Sequence, residues 1–185
     1  MKLVILDRDG VINHDSANYI KSPEEWSALP GSLEAISLLN KAGIKVVIAT
    51  NQSGVFRKLF SEETLGKIHQ KMKDQLAEIG GHIDAIYYCP HSPENICACR
   101  KPEPGMLLKA LKDFDMAASD TCFAGDSIKD IQAAQTVGCK AVLVETGNGK
   151  KTMTDHSHAI ELENTEIYKD LFSFTQALLV KDKVK

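Results

Sequence analysis

The segment that decides the fold is Leu3-Val4-Ile5-Leu6-Asp7-Arg8-Asp9-Gly10, a short apolar run that meets two aspartates and a glycine. Four successive apolar residues bounded by polar ones predict a short strand. Asp7 and Asp9 then follow the carboxyl end of that strand. In open α/β sheets this is the edge where ligands bind, so the segment predicts both a sheet and a site.

Outward from this segment, strand patterns alternate with helical spacing. Further strands are predicted at 45–50, 84–88, 121–124 and 141–144, and helices at 32–40, 104–113, 126–137, 166–179 and in a segment capped by Ser61. This order predicts a doubly wound parallel α/β sheet. The sequence contains no internal repeat and no linker rich in proline, glycine or serine, so we expect a single domain over residues 1–185.

The composition restricts the partners. The chain is 43% hydrophobic and 25% charged, which is typical of a folded globular protein. A net charge of -3 gives no general attraction to nucleic acid, so a phosphate-bearing ligand must be held by local groups. The apolar run at the N-terminus ends at Asp7, which is too early for a signal peptide or a membrane span. We expect a cytoplasmic monomer that binds neither nucleic acid nor membranes.

Polar side chains end three of the predicted strands, namely Asp7 with Asp9, Thr50, and Asp126. Converging carboxylates repel one another unless a cation lies among them, and a cluster of oxygen ligands suits Mg²⁺. With Lys101 and the Thr50 hydroxyl, this cation would neutralise a phosphoryl group that one aspartate attacks. The leaving group needs a proton from a second carboxyl that stays protonated near neutral pH, and the Asp-x-Asp spacing supplies the pair.

These residues resemble the four motifs of the haloacid dehalogenase (HAD) superfamily of aspartyl-phosphate phosphatases. The motifs are Asp7-x-Asp9-Gly10, Thr50-Asn51, Lys101 and Gly125-Asp126-Ser127-x-x-Asp130. The resemblance implies that Asp7 is the nucleophile, that Asp9 is the general acid and then the base, and that Thr50 and Lys101 hold the phosphoryl group. It also implies the Mg²⁺ ligands Asp7, Asp126 and the backbone carbonyl of Asp9, with Asp130 in support.

A second cluster lies in the segment Cys89-x-His91-x5-Cys97-x-Cys99, here called the zinc loop, residues 89–99. Three thiolates and one imidazole form the ligand set of a closed, tetrahedral, structural zinc site. The loop runs directly into Arg100-Lys101-Pro102. We therefore expect bound zinc to hold an otherwise irregular loop and to fix the position of Lys101.

The zinc loop followed by Arg-Lys-Pro resembles a superfamily branch with small or absent caps, which contains the heptose 1,7-bisphosphate phosphatases and the histidinol-phosphate phosphatases. Residues 50–54 and 86–91 resemble the heptose enzymes, whereas the short spacing from His91 to Cys97 resembles the histidinol enzymes. The first resemblance implies hydrolysis of the C7 phosphate of D-glycero-D-manno-heptose 1,7-bisphosphate in ADP- or GDP-heptose (lipopolysaccharide core) precursor biosynthesis. Histidinol phosphate is the alternative substrate.

A sugar bisphosphate needs a second anionic subsite and contacts to its hydroxyls, and arginine binds phosphate bidentately. The candidate substrate-binding residues are Asp15, Tyr19, Asn51, Gln52, Ser53, Arg57 and Arg100. His14 and His69 are expected on the surface or on a helix face. Two other classes remain open: a phosphorylatable signalling module, which uses similar groups around Mg²⁺, and a zinc-mediated interaction module. Asp9 favours an enzyme, because a signalling module should retain its phosphate.

Overall fold

The computed structural model describes residues 1–183 and shows one parallel sheet in the order β3-β2-β1-β4-β5-β6. Its strands are β1 (Leu3–Leu6), β2 (Lys45–Asn51), β3 (Ala85–Cys89), β4 (Thr121–Gly125), β5 (Lys140–Val144) and β6 (Glu166–Tyr168). Each of the five adjacent pairs is parallel. The predicted doubly wound parallel α/β sheet is therefore confirmed.

Helices cover both faces of this sheet. They are α1 (Ser32–Lys41), α2 (Ser53–Phe56), α3 (Glu62–Glu78), α4 (Gly105–Asp113), α5 (Ile128–Val137), α6 (Gly149–Asp155), α7 (Ile160–Glu163) and α8 (Leu171–Lys183). The apolar faces of α1, α3 and α8 bury against one side, with Val4 and Leu6 of β1. Those of α4 and α5 bury against the other, with Leu3 and Ile5. Strand β1 is buried on both faces because its side chains alternate between two cores.

The register aligns the carboxyl ends of three central strands. Leu6 pairs with Ile48 of β2 and with Ala124 of β4. Neighbouring strands lie about 4.8 Å apart, so the residues that follow these positions meet at one edge. In residues 1–183 no separate cap domain covers this edge.

The prediction for residues 166–179 is wrong at its start. Residues Glu166–Tyr168 form the edge strand β6 beside β5, and the helix begins only at Leu171. The helix predicted at 126–137 begins at Ile128, where Ser127 and Asp130 form a capping box. In the described part of the chain, no helix is both long and apolar enough to cross a bilayer.

Candidate active site

The strand ends converge on a cleft of about 370 Å³. Asp7 and Asp9 follow β1, Thr50 is the penultimate residue of β2 and Asp126 follows β4. All four line this cleft together with Lys101. Glycine at position 10 is required here, because a Cβ at that residue would collide with the carboxylate of Asp126. The four predicted motifs are therefore brought together in space.

Asp7 is held in a fixed orientation by two donors. Its Oδ1 forms an ion pair with the Lys101 ammonium at 2.9 Å and accepts a hydrogen bond from the backbone N–H of Arg8 at 2.7 Å. Burial raises the pKa of Asp7 to about 7 despite the opposing charge of Lys101. A carboxylate that is largely buried, paired with a cation and open to a cleft has the surroundings expected of a functional group.

Lys101 is a buried cation with two carboxylate partners. Its side chain is 2% exposed, and its Nζ lies 2.9 Å from Asp7 and 2.7 Å from Asp130. Burial by itself would lower the pKa of Lys101, but the two carboxylates outweigh it and raise the pKa. The Asn51 amide accepts from the backbone N–H of Lys101 and donates to its carbonyl, both at 3.1 Å. Asn51, predicted to contact substrate, thus holds the backbone of Lys101.

The acidic cluster has the composition of a divalent-cation site. One carboxylate oxygen each from Asp7, Asp126 and Asp130 lies within 4.8 Å of the others. Burial and the nearby charge of Asp7 raise the pKa of Asp126 to about 8. Such a cluster is short of positive charge, and all-oxygen ligands at this spacing fit Mg²⁺. Asp130 also pairs with Lys101 and caps α5, so its role here is to orient these neighbours.

A residue that the sequence did not single out, Asn148, supports Asp126. Its backbone N–H donates to Asp126 Oδ2 at 2.7 Å, and its side-chain amide reaches the same oxygen at 3.3 Å. The amide also donates to Asp15 at 3.0 Å. Asn148 precedes α6, an element that the sequence did not predict, so no local pattern marked this residue.

Asp9 differs from the expectation of a carboxyl that stays protonated. Five hydrogen bonds reach its carboxylate, three from Arg8, one from Asn13 and one from Gln52. Burial by itself would raise the pKa of Asp9, but the Arg8 charge and these bonds outweigh it and lower the pKa. Asp9 is therefore ionised near neutral pH in this arrangement. It must take up a proton before it can act as a general acid.

Two residues behind Asp9 have surroundings that the sequence did not show. Arg8 is 1% exposed although arginine is rarely buried. His69, expected on the surface or on a helix face, is 8% exposed on the inner face of α3 and contacts Arg8 at 3.3 Å. Burial and the Arg8 charge lower the pKa of His69 to about 3.

The zinc loop brings its four predicted ligands together. The sulfur atoms of Cys89, Cys97 and Cys99 lie 3.1 to 3.8 Å apart, and His91 Nδ1 lies 3.5 and 3.6 Å from two of them. Bond lengths of about 2.3 Å to sulfur and 2.0–2.1 Å to nitrogen place tetrahedral zinc ligands about 3.5–3.8 Å apart. The cluster is therefore compatible with zinc.

The predicted substrate-binding residues divide into two groups. Asp15, Tyr19, Asn51, Gln52 and Arg100 line the cleft. Of these, Gln52 is engaged internally, because its amide donates to Asp9 and to the Thr50 hydroxyl at 2.9 Å each. Ser53 begins the short helix α2, and Arg57 pairs with Glu94 at the surface. Neither Ser53 nor Arg57 is among the residues that line the cleft.

Comparison with known proteins identifies the family. A family model described as HAD-hydrolase-like matches residues 98–172. A D-glycero-beta-D-manno-heptose-1,7-bisphosphate 7-phosphatase of Bordetella bronchiseptica is 50% identical over 179 residues, which are 97% of this chain and 98% of that protein. The chain belongs to the heptose-1,7-bisphosphate 7-phosphatase family of the HAD superfamily. The predicted superfamily resemblance is thereby confirmed.

Other members of the heptose-1,7-bisphosphate 7-phosphatase family match over a similar extent. The protein of that name from Neisseria meningitidis serogroup A is 45% identical over 97% of this chain and 95% of its own length. A crystal structure of D,D-heptose 1,7-bisphosphate phosphatase from B. bronchiseptica, complexed with magnesium and phosphate, superposes with a TM-score of 0.93. The two chains are 49% identical, and the alignment covers 98% of this chain and 99% of the B. bronchiseptica chain.

Proposed function

We propose that this protein is a Mg²⁺-dependent phosphatase that removes the C7 phosphate of D-glycero-D-manno-heptose 1,7-bisphosphate. The observation that carries this proposal is the 50% identity, over 97% of the chain, to a relative of that name. The chemistry of the cleft supports it, since Asp7, Lys101 and Asp126 supply a nucleophile, a phosphate-binding cation and a metal ligand in one place. We further propose one domain over residues 1–185, acting as a cytoplasmic monomer.

In the first half of the proposed reaction, Asp7 attacks phosphorus. A bond forms between the Asp7 carboxylate and phosphorus, the bond to the C7 oxygen breaks, and its electron pair stays on that oxygen. Asp9, which is ionised in this arrangement, first takes up the proton of the substrate's phosphate monoanion; it then gives this proton to the C7 oxygen and is a carboxylate again. Because Lys101 and the Arg8 N–H hold Asp7 Oδ1, the nucleophile needs little reorientation before it attacks.

In the second half, water releases the phosphate. The Asp9 carboxylate takes a proton from water, the water oxygen bonds to phosphorus, and the acyl-phosphate bond returns its electrons to Asp7. Lys101 and the Thr50 hydroxyl stabilise the phosphoryl oxygens throughout. We propose Asp7, Asp126 and the backbone carbonyl of Asp9 as the Mg²⁺ ligands, and the bound ion supplies charge neutralisation for the transferred phosphoryl group.

We also propose that the zinc loop binds one structural Zn²⁺ through Cys89, His91, Cys97 and Cys99. Support comes from the near-tetrahedral spacing of the four ligand atoms. The loop ends one residue before Arg100, whose guanidinium donates to the backbone carbonyl of His91 at 2.9 Å. A metal at this point would stiffen the backbone that carries Arg100 and Lys101 into the cleft.

Substrate recognition is proposed to use residues at the mouth of the cleft. Arg100 is suited to the second phosphate, and Asp15 and Tyr19 to sugar hydroxyls. Arg57 would have to leave Glu94 to reach the substrate, and their exposed pair at 3.4 Å costs little to break. Asn51 and Gln52 would act mainly by holding Lys101 and Asp9, and Ser53 by starting α2.

The decisive experiment compares kcat/KM for the heptose bisphosphate and for histidinol phosphate with Mg²⁺ present. We expect the heptose bisphosphate to be preferred, and Asp7→Asn to abolish phosphate release. Asp113→Asn is the matched control, because Asp113 pairs with Lys109 at the surface and is not among the residues that line the cleft. A preference for histidinol phosphate would overturn the substrate, whereas one stable acyl phosphate per chain without turnover would indicate a signalling module.

A further inference from the structure

We propose that Arg8 is a positioning residue for Asp9, with His69 as its anchor. This inference rests on the proposed function, since it assigns a task to a residue behind the acid and base of that reaction. Arg8 lies between the two catalytic aspartates in sequence, yet its side chain turns away from the cleft and is 1% exposed. A buried guanidinium needs a full set of acceptors, and those acceptors define what it does.

The guanidinium uses its planar fork on Asp9. Its Nε donates to Asp9 Oδ1 at 3.1 Å, and Nη2 donates to Oδ1 at 2.9 Å and to Oδ2 at 3.0 Å. Nη2 also donates to the Gln52 side-chain carbonyl at 3.2 Å. This contact to both oxygens fixes the plane and the rotamer of the carboxylate, which a single hydrogen bond would leave free to turn.

His69 completes the support from helix α3. Its Nε2 lies 3.3 Å from Arg8 Nη1, and because a guanidinium can only donate, that nitrogen must be the acceptor. The ring is itself packed near Tyr88, with centroids 6.4 Å apart. Arg8 is therefore held from behind by an element that makes no direct contact with the cleft.

The same network ties Asp9 to the phosphate-binding side of the cleft. Gln52 accepts from Arg8, donates to Asp9 Oδ2 and donates to the Thr50 hydroxyl. Arg8 and Gln52 therefore set the position of the carboxylate relative to the proposed phosphoryl ligand Thr50. A general acid must meet the leaving oxygen within hydrogen-bond distance, and a misplacement of about 1 Å can cost about 100-fold in rate.

The test measures how the effect of Arg8→Lys on the reaction rate depends on the leaving group of the substrate. A heptose alkoxide needs a proton to depart, whereas 4-nitrophenolate does not. Pre-steady-state release of the alcohol or phenol reports only the first half of the reaction, and Asp9→Asn is the reference variant. We expect Arg8→Lys to slow release from the heptose bisphosphate by about 10- to 100-fold and from 4-nitrophenyl phosphate by less than about threefold.

An equal loss on both substrates would overturn the proposal, because it would show that Arg8 only maintains the structure. If Arg8→Lys does not fold, His69→Leu removes the anchor but keeps the guanidinium. It should show the same selective loss at smaller size, and an unselective loss there would again refute the positioning role. Failure of the proposed function looks different, since wild type would then turn over neither substrate or Asp9→Asn would show no selectivity.

Discussion

Replacing Lys101 by methionine should destabilise the metal-free protein strongly and in a pH-dependent way. The ammonium is buried against Asp7 at 2.9 Å and Asp130 at 2.7 Å. Each contact is worth about 6 kcal/mol before desolvation at an effective dielectric constant of about 20. Removing one partner from a buried ionic group typically costs about 3–5 kcal/mol, because the remaining charges stay uncompensated. We expect a loss of that size at pH 8.

The sign of the pH effect follows from the raised pKa values of Asp7, about 7, and Asp126, about 8. Both lie above the unfolded values near 4, so the folded state binds more protons and the carboxylates destabilise it as pH rises. Without Lys101 both pKa values rise further. The cost of Lys101→Met should therefore shrink between pH 8 and pH 5, where the carboxylates become protonated.

Urea unfolding in chelator at pH 8 and pH 5 measures this effect, and added Mg²⁺ should restore part of the loss at pH 8. The matched control is Lys109→Met. Lys109 also pairs with an aspartate at 2.9 Å and lies over an aromatic ring, but its side chain is 63% exposed. An equal loss at both pH values, unaffected by Mg²⁺, would show that Lys101 acts by packing on Phe123 and would refute the electrostatic argument.

Two further predictions concern the zinc loop and α3. Purified protein should contain about one zinc per chain by elemental analysis. Cys99→Ala should lose that zinc and have a lower Tm, whereas the control Cys122→Ala should keep the zinc. A full zinc content in Cys99→Ala would exclude the four-ligand set. The pKa of His69 is lowered to about 3 in the fold. Below about pH 6.5 this histidine is therefore protonated in the unfolded chain but not in the folded one, so the free energy of unfolding decreases as the pH is lowered. Between pH 7 and pH 4.5, the free energy of unfolding measured in urea should decrease by about 2–3 kcal/mol more for wild type than for His69→Gln. An equal decrease in the two proteins would contradict this.

The sequence predicted those features that depend on local pattern. The five predicted strands form within about one residue of their expected bounds, because apolar runs and the glycines that follow helices are local signals. The four proposed zinc ligands converge because they lie on one short loop. The cleft residues converge because parallel strands end at one edge, which is a property of the fold class.

Other features depend on contacts between distant segments, and the sequence did not show them. Residues Glu166–Tyr168 form a strand only because β5 offers a free edge. Arg8 is buried where α3 brings His69 against it, and the Arg8 charge, with hydrogen bonds from Asn13 and Gln52, lowers the pKa of Asp9. Asn148 reaches Asp126 across 22 positions of sequence. Local propensity carries no information about such pairings.

Because β1 pairs in a fixed register with both of its neighbours, the cleft is more sensitive to the length of this strand than to the identity of its apolar side chains. Leu3 to Leu6 alternate between two cores, and Asp7 follows at once. Inserting or deleting one residue in this strand would exchange the two sets of apolar side chains, which both cores could partly accept. It would also rotate the first aspartate out of the cleft. Inserting or deleting one residue in β1 would thus leave a folded protein without catalytic activity. Many exchanges of one apolar residue for another within the strand would be tolerated.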